Sequence, residues 1–321
     1  MKAAIYAKYG SPEVLEVADI PKPTPGPNEI VVQVHATTVT PVDIAFLRAK
    51  PWINRLFLGL RRPKNQVLGS NFAGEVESVG ADVKSFAPGD RIFGETMSGT
   101  QAEYVCVQED SPIIHMPEGI SYQDAATFPY AFLTALPFLR DEGKIHPGQR
   151  LLIVGASGAI GSLAVQMAHL FGAKVTGVCS TKNVELVKRL GADTVIDYTQ
   201  SDPSESGQKY DVIFDVVGKL PFGKARKVLT PSGKYLTAFF SWGIFPKMAL
   251  NPFRAQKAKL VTTGLRKVAA KKSDLKLLVE MIEQGKLRPV IDHTYALTEI
   301  QDAYRYVETG HKVGNVIVTM V

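Results

Sequence analysis

Only two cysteines, Cys106 and Cys179, stand among the 321 residues. They lie far apart, each in a strand-like run, and no C-x-x-C occurs, so a zinc site with thiolate spacing is excluded. Both read as small buried apolar residues, which fits a reducing, cytoplasmic compartment. The six histidines show no catalytic spacing. No apolar run reaches the ~18 residues that a membrane span needs. The most apolar stretch, 235–250, is weakened by Gly243 and interrupted by Pro246 and Lys247. The opening MKAAIYAKYG has no signal-peptide core, because charge and glycine break it. Charge of one sign is also scarce. The net charge is +6, and basic residues come in pairs such as Arg61-Arg62, Arg266-Lys267 and Lys271-Lys272 rather than in a tract. Solvated surfaces are therefore favoured over nucleic-acid binding.

What is present is concentrated in residues 151–180, LLIVGASGAIGSLAVQMAHLFGAKVTGVCS. An apolar strand, 151–154, leads into Gly155, Ser157, Gly158, Ala159, Ile160 and Gly161. A helix with an apolar face follows and closes at Gly172, and a second strand occupies 174–179. A glycine turn between a strand and a helix N-terminus is a pyrophosphate site. The glycines let phosphate approach bare N–H groups, and the helix adds about half a positive charge. The unit predicts a dinucleotide, and with it redox chemistry. Sites for NAD place Asp or Glu at the end of the second strand to bind the ribose 2′-hydroxyl. Here that strand end reads Cys179, Ser180, Thr181, Lys182, Asn183. Two hydroxyls and an ammonium suit a 2′-phosphate, so the prediction is NADPH.

The chain is long enough for two domains. Residues 1–122 read as β-rich, with strands at 2–6, 29–36, 73–79, 91–93 and 102–107 and a short helix at 41–48. Residues 51–65, PWINRLFLGLRRPKN, are apolar and basic together. They read either as a surface loop or short helix near a substrate mouth, or as an amphipathic patch packed on the domain. Residues 123–286 alternate strands with helices, which predicts a doubly wound parallel sheet. Its pieces include strands at 194–196, 211–216, 234–238 and 259–263 and an amphipathic helix at 274–284. Residues 287–321 resemble the first domain again and are expected to fold back onto it. The α/β cofactor domain is then an insertion, with the active site in the cleft between.

The chain resembles a zinc-independent member of the medium-chain dehydrogenase/reductase superfamily, near its quinone oxidoreductase and enoyl reductase branches. The resemblance spans nearly the whole length. It is carried by TTVTPVD (37–43), LGSNFAGEVESVG (68–80), PGDRIFG (88–94), AEYV (102–105), FPYAFLTA (128–135), GASGAIG, LGADTVIDY (190–198) and FDVVG (214–218). It implies a Rossmann-like domain inserted in a GroES-like β-rich domain. Zinc-dependent relatives place Cys where this chain has Thr40 and His near Ser70, and they carry a four-cysteine loop that is missing here. No metal is therefore expected. The quinone reductase branch commonly has Asn in place of Thr40 and Asp in place of Asn71.

By the same resemblance, Ser180, Lys182 and Tyr198 surround the 2′-phosphate and adenine, and Gly158, Ala159 and Ile160 meet the pyrophosphate. Thr134, Val217, Gly218, Phe239 and Phe240 border the nicotinamide. Thr40, Tyr130 and Asp43 are the candidate catalytic residues, although Asp43 also suits a helix cap after Pro41. Phe46, Trp52, Asn71 and Trp242 are candidates for the substrate pocket. The implied activity is NADPH-dependent hydride transfer to a quinone or other α,β-unsaturated carbonyl, with positioning as the main catalytic device. One alternative is an enoyl-thioester or 2-alkenal reductase. Another is a weakly catalytic NADPH-binding protein acting through protein or RNA partners, with the basic pairs around 266–272 as its footprint. A homodimer is expected, with strand 259–263 as a candidate edge.

Overall fold

Val, Ile and Thr at alternating positions make the first third of the chain a series of strands. The structure, a computed structural model, describes residues 1–239, 248–250 and 255–320. It forms β1 (Lys2–Tyr6), β2 (Leu15–Asp19), β3 (Glu29–Val39), β4 (Asn71–Val79), β5 (Arg91–Glu95), β6 (Tyr104–Gln108) and β7 (Ile113–His115). Two short helices, α1 (Pro41–Leu47) and α2 (Arg55–Leu58), sit between β3 and β4. After β7 come α3 (Tyr122–Ala126) and α4 (Phe128–Leu136), which runs into a π-type turn at Pro137–Gly143.

The chain then alternates: β8 (Arg150–Val154), α5 (Ala159–Leu170), β9 (Lys174–Cys179), α6 (Val184–Arg189), β10 (Thr194–Asp197), β11 (Tyr210–Asp215), α7 (Phe222–Val228), β12 (Leu229–Thr237) and β13 (Lys257–Leu260). These six strands form one parallel sheet in the order β10-β9-β8-β11-β12-β13. The order reverses between β8 and β11. In open α/β sheets, ligands bind beyond the carboxyl ends of the strands at such a switch point. Leu152, Ile213, Phe222 and Tyr235 are among the buried side chains that hold the sheet to its helices.

The last part contributes α8 (Val268–Glu283), β14 (Ile291–Ala296), α9 (Ile300–Glu308) and β15 (Asn315–Thr319). β15 pairs antiparallel with β3, so the C-terminal segment completes the first sheet, ordered β14-β15-β3-β4-β5-β7 with β6 also on β3. Tyr304 and Val307 of α9 pack with Tyr6, Leu15 and Leu47 in its core.

Two compact units result. One is Met1–Tyr130 with Lys267–Glu283 and Pro289–Val321, and the other is Ala131–Arg266 with Gln284–Arg288. α8 thus groups with the β-rich unit, whereas its sequence position suggests the α/β unit. Its partners explain this: it packs on β7, Lys271 pairs with Glu95, and Lys272 Nζ donates to the Glu109 carbonyl. It also begins at Val268 rather than Asp274, because the lysine-rich first turns carry no apolar period. The strand expected at 259–263 is Lys257–Leu260, followed by a 3-10 turn at Thr263–Leu265. It lies at a sheet edge, but it carries Lys257 and Lys259, and edge lysines discourage strand addition.

Candidate functional site

In the α/β unit the three glycines do three separate jobs. Gly155 leaves β8 with φ +84°, a left-handed conformation that a side chain resists, and a Cβ there would meet Val217 Cγ1 at 2.7 Å. A Cβ on Gly161 would lie 2.0 Å from the Gly155 carbonyl oxygen, so the helix reaches the turn only because this residue has no side chain. Gly158, the N-cap of α5, is different. A Cβ there meets nothing nearer than 3.5 Å, and no side chain caps the helix. The first intrahelical bond runs from Ser162 N to Gly158 O at 2.8 Å. The N–H groups of Ala159, Ile160 and Gly161 therefore have no partner within the helix. A tight turn, an open approach and a close helix–strand contact are what a dinucleotide pyrophosphate requires. The residues present fit the group.

The end of β9 is tied to this turn. Asn183 Nδ2 donates to Ser157 Oγ at 3.1 Å and to Ser180 Oγ at 3.3 Å. Lys182 is exposed. The Tyr198 ring is exposed beyond β10, and its N–H donates to Cys179 O at 3.0 Å. Thr181 has a partner absent from the sequence reading: its Oγ1 donates to Asp197 Oδ2 at 2.6 Å. Asp197 also accepts from Thr199 N at 2.9 Å and Thr199 Oγ1 at 2.8 Å. The Thr181 hydroxyl, followed by those from Thr199, holds this carboxyl below its ordinary range.

The segment at the end of β11 is built on Asp215, which is fully buried. Its Oδ1 accepts from the N–H groups of Val217 (3.2 Å), Gly218 (2.8 Å) and Lys219 (3.3 Å). Its Oδ2 accepts from Leu220 N (2.9 Å) and the Tyr235 hydroxyl (3.0 Å). Burial raises its pKa, and these donors oppose the rise. Thr237 Oγ1 donates to Asp215 O at 2.9 Å and accepts from Phe239 N at 3.1 Å. Gly218, at φ +69°, has the Phe239 ring against it. Val217 and Phe239 stay exposed beside this frame. Thr134 is buried and accepts from Thr263 Oγ1 at 3.5 Å. The structure thus places Gly155 to Gly161, Ser180 to Lys182, Val217, Gly218 and Phe239 after the carboxyl ends of β8, β9, β11 and β12, with Tyr198 after β10 and Thr134 on α4. Phe240 and Trp242 lie outside the described residues.

In the β-rich unit, Thr40 and Asp43 close a capping box on α1. Thr40 N and Oγ1 donate to Asp43 Oδ2 at 2.7 and 2.6 Å, and Thr40 Oγ1 accepts from Asp43 N at 3.3 Å. Gly69 N donates to Asp43 Oδ1 at 3.2 Å. The Thr40 hydroxyl is therefore committed to the cap. Burial pushes the Asp43 carboxyl up to about 6, against the pull of its bonds to Thr40 and Gly69. Burial also raises the Tyr130 phenol, with the Asp43 and Glu95 carboxyls adding to the effect. Its hydroxyl makes no hydrogen bond among the described residues. Asn71 is buried, and its Nδ2 donates to Thr38 Oγ1 at 3.0 Å. Its Oδ1 has no partner among the described residues. Phe46 packs on the core, whereas Trp52 stands exposed.

The raised Asp43 carboxyl carries a pH signature. Between about pH 4 and 6 the folded chain holds a proton that the unfolded chain releases, so stability falls as pH rises, by about 3 kcal/mol in all. Asp43→Asn is expected to flatten this fall. Denaturant titrations of both proteins at pH 4, 5, 6 and 7 check it, and parallel curves would count against it.

Comparison with known proteins fits this geometry. Residues 26–118 match the alcohol dehydrogenase GroES-like domain, and residues 190–318 match the zinc-binding dehydrogenase model. The chloroplastic quinone oxidoreductase QR1 of Triphysaria versicolor is 32% identical over 99% of this chain and 98% of its own. An NADPH-dependent alkenal/one oxidoreductase of Arabidopsis thaliana, also chloroplastic, is 33% identical over 99% of this chain and 79% of its own. The chain belongs to the medium-chain dehydrogenase/reductase superfamily, quinone oxidoreductase-like branch. Among solved structures, the quinone oxidoreductase from Coxiella burnetii superposes with a TM-score of 0.87 at 29% identity, over 100% of this chain and 99% of that one. This member of the superfamily is a GroES-like unit joined to a Rossmann-like parallel sheet. Although one matching model is named for zinc, no three His, Cys, Asp or Glu side chains gather to hold a metal ion among the described residues. Burial pushes the Cys106 and Cys179 thiols up to about 12 and about 11, and the two stand on separate strands, β6 and β9, of different sheets. The residues present do not fit that metal.

Sequence reasoning missed Asp215, Asp197 and Asn183 as site residues. Asp215 left a trace, a lone carboxylate ending the apolar run Val212-Ile213-Phe214.

Proposed function

We propose that this chain is an NADPH-dependent, zinc-free reductase that passes hydride to a quinone or another α,β-unsaturated carbonyl. One observation carries the cofactor half: Gly155, Gly158 and Gly161 separately supply the turn, the open approach and the close packing of a dinucleotide cradle. The acceptor half is supported by relatives named for quinones and alkenals. When bound, the nicotinamide supplies hydride, which leaves alignment, exclusion of water and stabilisation of charge on the acceptor oxygen to the protein.

The N–H groups of Ala159 and Ile160 hold the pyrophosphate, Ser180 and Lys182 the 2′-phosphate, and the exposed Tyr198 ring lies against the adenine. Thr134 and the Asp215-braced segment with Val217, Gly218 and Phe239 border the nicotinamide. Asp197 sits one strand away and its bonds to Thr181 and Thr199 favour its ionised form, so the preference for NADPH rests on Lys182 as the cation set against it. Tyr130 is a better donor to the acceptor oxygen than Thr40. The Thr40 hydroxyl is bound in the cap, whereas the Tyr130 phenol keeps its proton at neutral pH and has no competing bond among the described residues.

Binding to RNA is disfavoured because three of the four cations of the basic segment 266–272 are engaged internally: Lys271 on Glu95, Lys272 on a carbonyl, and Arg266 near Asp141 at 3.9 Å. A cytoplasmic, homodimeric protein fits two free, hard-to-ionise cysteines and the family. NADPH oxidation against a quinone, a 2-alkenal and an enoyl thioester tests the reading. Turnover of at least one supports it and fixes the branch. Tight NADPH binding without turnover of any conjugated acceptor would overturn it.

A further inference from the structure

Within the segment between α1 and β4, residues 52–60 present large apolar side chains that are not buried in the β-rich unit. Trp52, Ile53, Leu56, Phe57 and Leu60 are between 43% and 77% exposed. Trp52 and Leu56, and likewise Ile53 and Phe57, stand four residues apart across the 3-10 turn Trp52–Asn54 and α2, so they project to one side. In an ordinary amphipathic helix this stripe faces the core. Here it faces out, and the backbone beneath it is well tied. The Tyr9 hydroxyl donates to Gly59 O at 2.7 Å, Lys64 N donates to Leu58 O at 2.8 Å, and Arg55 lies 5.1 Å over the Tyr9 ring.

The charge within the segment itself has one sign. From Ile44 to Gly74 there are six Lys and Arg residues and no Asp or Glu. Arg48 is paired with Glu308, and Arg55 is turned onto Tyr9. Lys50, Arg61, Arg62 and Lys64 are exposed, with no ion-pair partner among the described residues. Asn54, a polar side chain within the patch, bonds back to Lys50 O at 3.1 Å.

We infer that residues 50–64 form a docking patch for an anionic lipid surface. Aromatic and aliphatic side chains enter the headgroup–acyl boundary, while the cations behind them stay at phosphate depth, where each adds attraction. Trp suits that boundary. A second copy is the wrong occupant, since apposed patches would bring cation against cation with no carboxylate between. A protein partner is a poorer fit because Asn54 and Arg55 turn away and leave the Trp52 indole N–H as the crest's single polar side-chain group, which suits the headgroup boundary. The inference is independent of the acceptor, though an apolar acceptor dissolved in the bilayer would suit it.

Co-sedimentation of the whole chain with vesicles tests this. Phosphatidylcholine with about one third phosphatidylglycerol is expected to pellet the protein, and pure phosphatidylcholine to pellet far less. Phe57→Ser with Leu60→Ser should lower the partition coefficient on the order of tenfold, and Arg61→Ala with Arg62→Ala by a similar factor, while raised salt weakens binding. Circular dichroism and NADPH affinity of both variants should match the parent, which separates lost docking from lost folding. Absent pelleting, equal pelleting with neutral vesicles, or pelleting that both variants retain would overturn the inference. So would a change of light-scattering mass in the apolar variant without vesicle binding, which would mark the patch as a chain–chain contact.

Discussion

Asp215→Ala is expected to destabilise the chain by about 3–5 kcal/mol and to raise the dissociation constant for NADPH steeply. The carboxylate takes four backbone N–H groups and one phenol, all at a buried strand end. Removing it leaves Leu220 N and the Tyr235 hydroxyl without a partner in the buried part of the frame and the part-buried N–H groups of Val217, Gly218 and Lys219 without theirs, and that cost falls on the folded state alone. The segment 217–220 then loses what fixes it beside Gly155, where Val217 packs against the turn. Asp215→Asn keeps an acceptor oxygen for part of the set and should lose about half as much. Denaturant unfolding and fluorescence titration with NADPH check both. An alanine variant within about 1 kcal/mol of the parent, binding NADPH normally, would show that the segment holds its shape without the carboxylate.

Lys182→Glu is expected to weaken NADPH binding on the order of 100-fold and to leave NADH within about threefold. The substitution replaces the ammonium at the end of β9 with a second carboxylate near Asp197, and both then repel a 2′-phosphate. NADH has only a hydroxyl there, which a carboxylate accepts from. Lys182→Ala should lose about tenfold for NADPH alone. The readout is the ratio of the two dissociation constants, because a folding defect would weaken both. An unchanged ratio would remove Lys182 from cofactor selection.

The parallel sheet was legible in the sequence because apolar strands, glycine turns and amphipathic helices recur in order, each signal local. The cradle was legible for the same reason, since Gly155, Gly158 and Gly161 fall within one turn. Residues whose role depends on a distant neighbour were not. Asp197 meets Thr181 only because β10 lies beside β9, so the strand end that reads as free of carboxylate has one in contact with it. Asp215 acts through N–H groups of a segment that curls back on it, which spacing does not reveal. Trp52 reads as pocket or core from its chemistry, and only the fold shows that it faces outward. Thr40 and Asp43 were legible as a motif whose chemistry has two readings, and the geometry makes them a helix cap. The lysine-rich start of α8 was hidden because Glu95 and Glu109 hold it from elsewhere in the chain.

The most direct measurement is the rate of NADPH oxidation with a 2-alkenal compared with the saturated aldehyde of the same length. A conjugated acceptor spreads the charge that hydride addition creates, so hydrogen-bond donors suffice, whereas an isolated carbonyl concentrates it on one oxygen and calls for a stronger electrophile than the proposed zinc-free mechanism supplies. Rapid oxidation with the alkenal and none above background with the saturated aldehyde is the predicted result. Equal rates with the two acceptors, or reduction of the saturated one alone, would contradict the account.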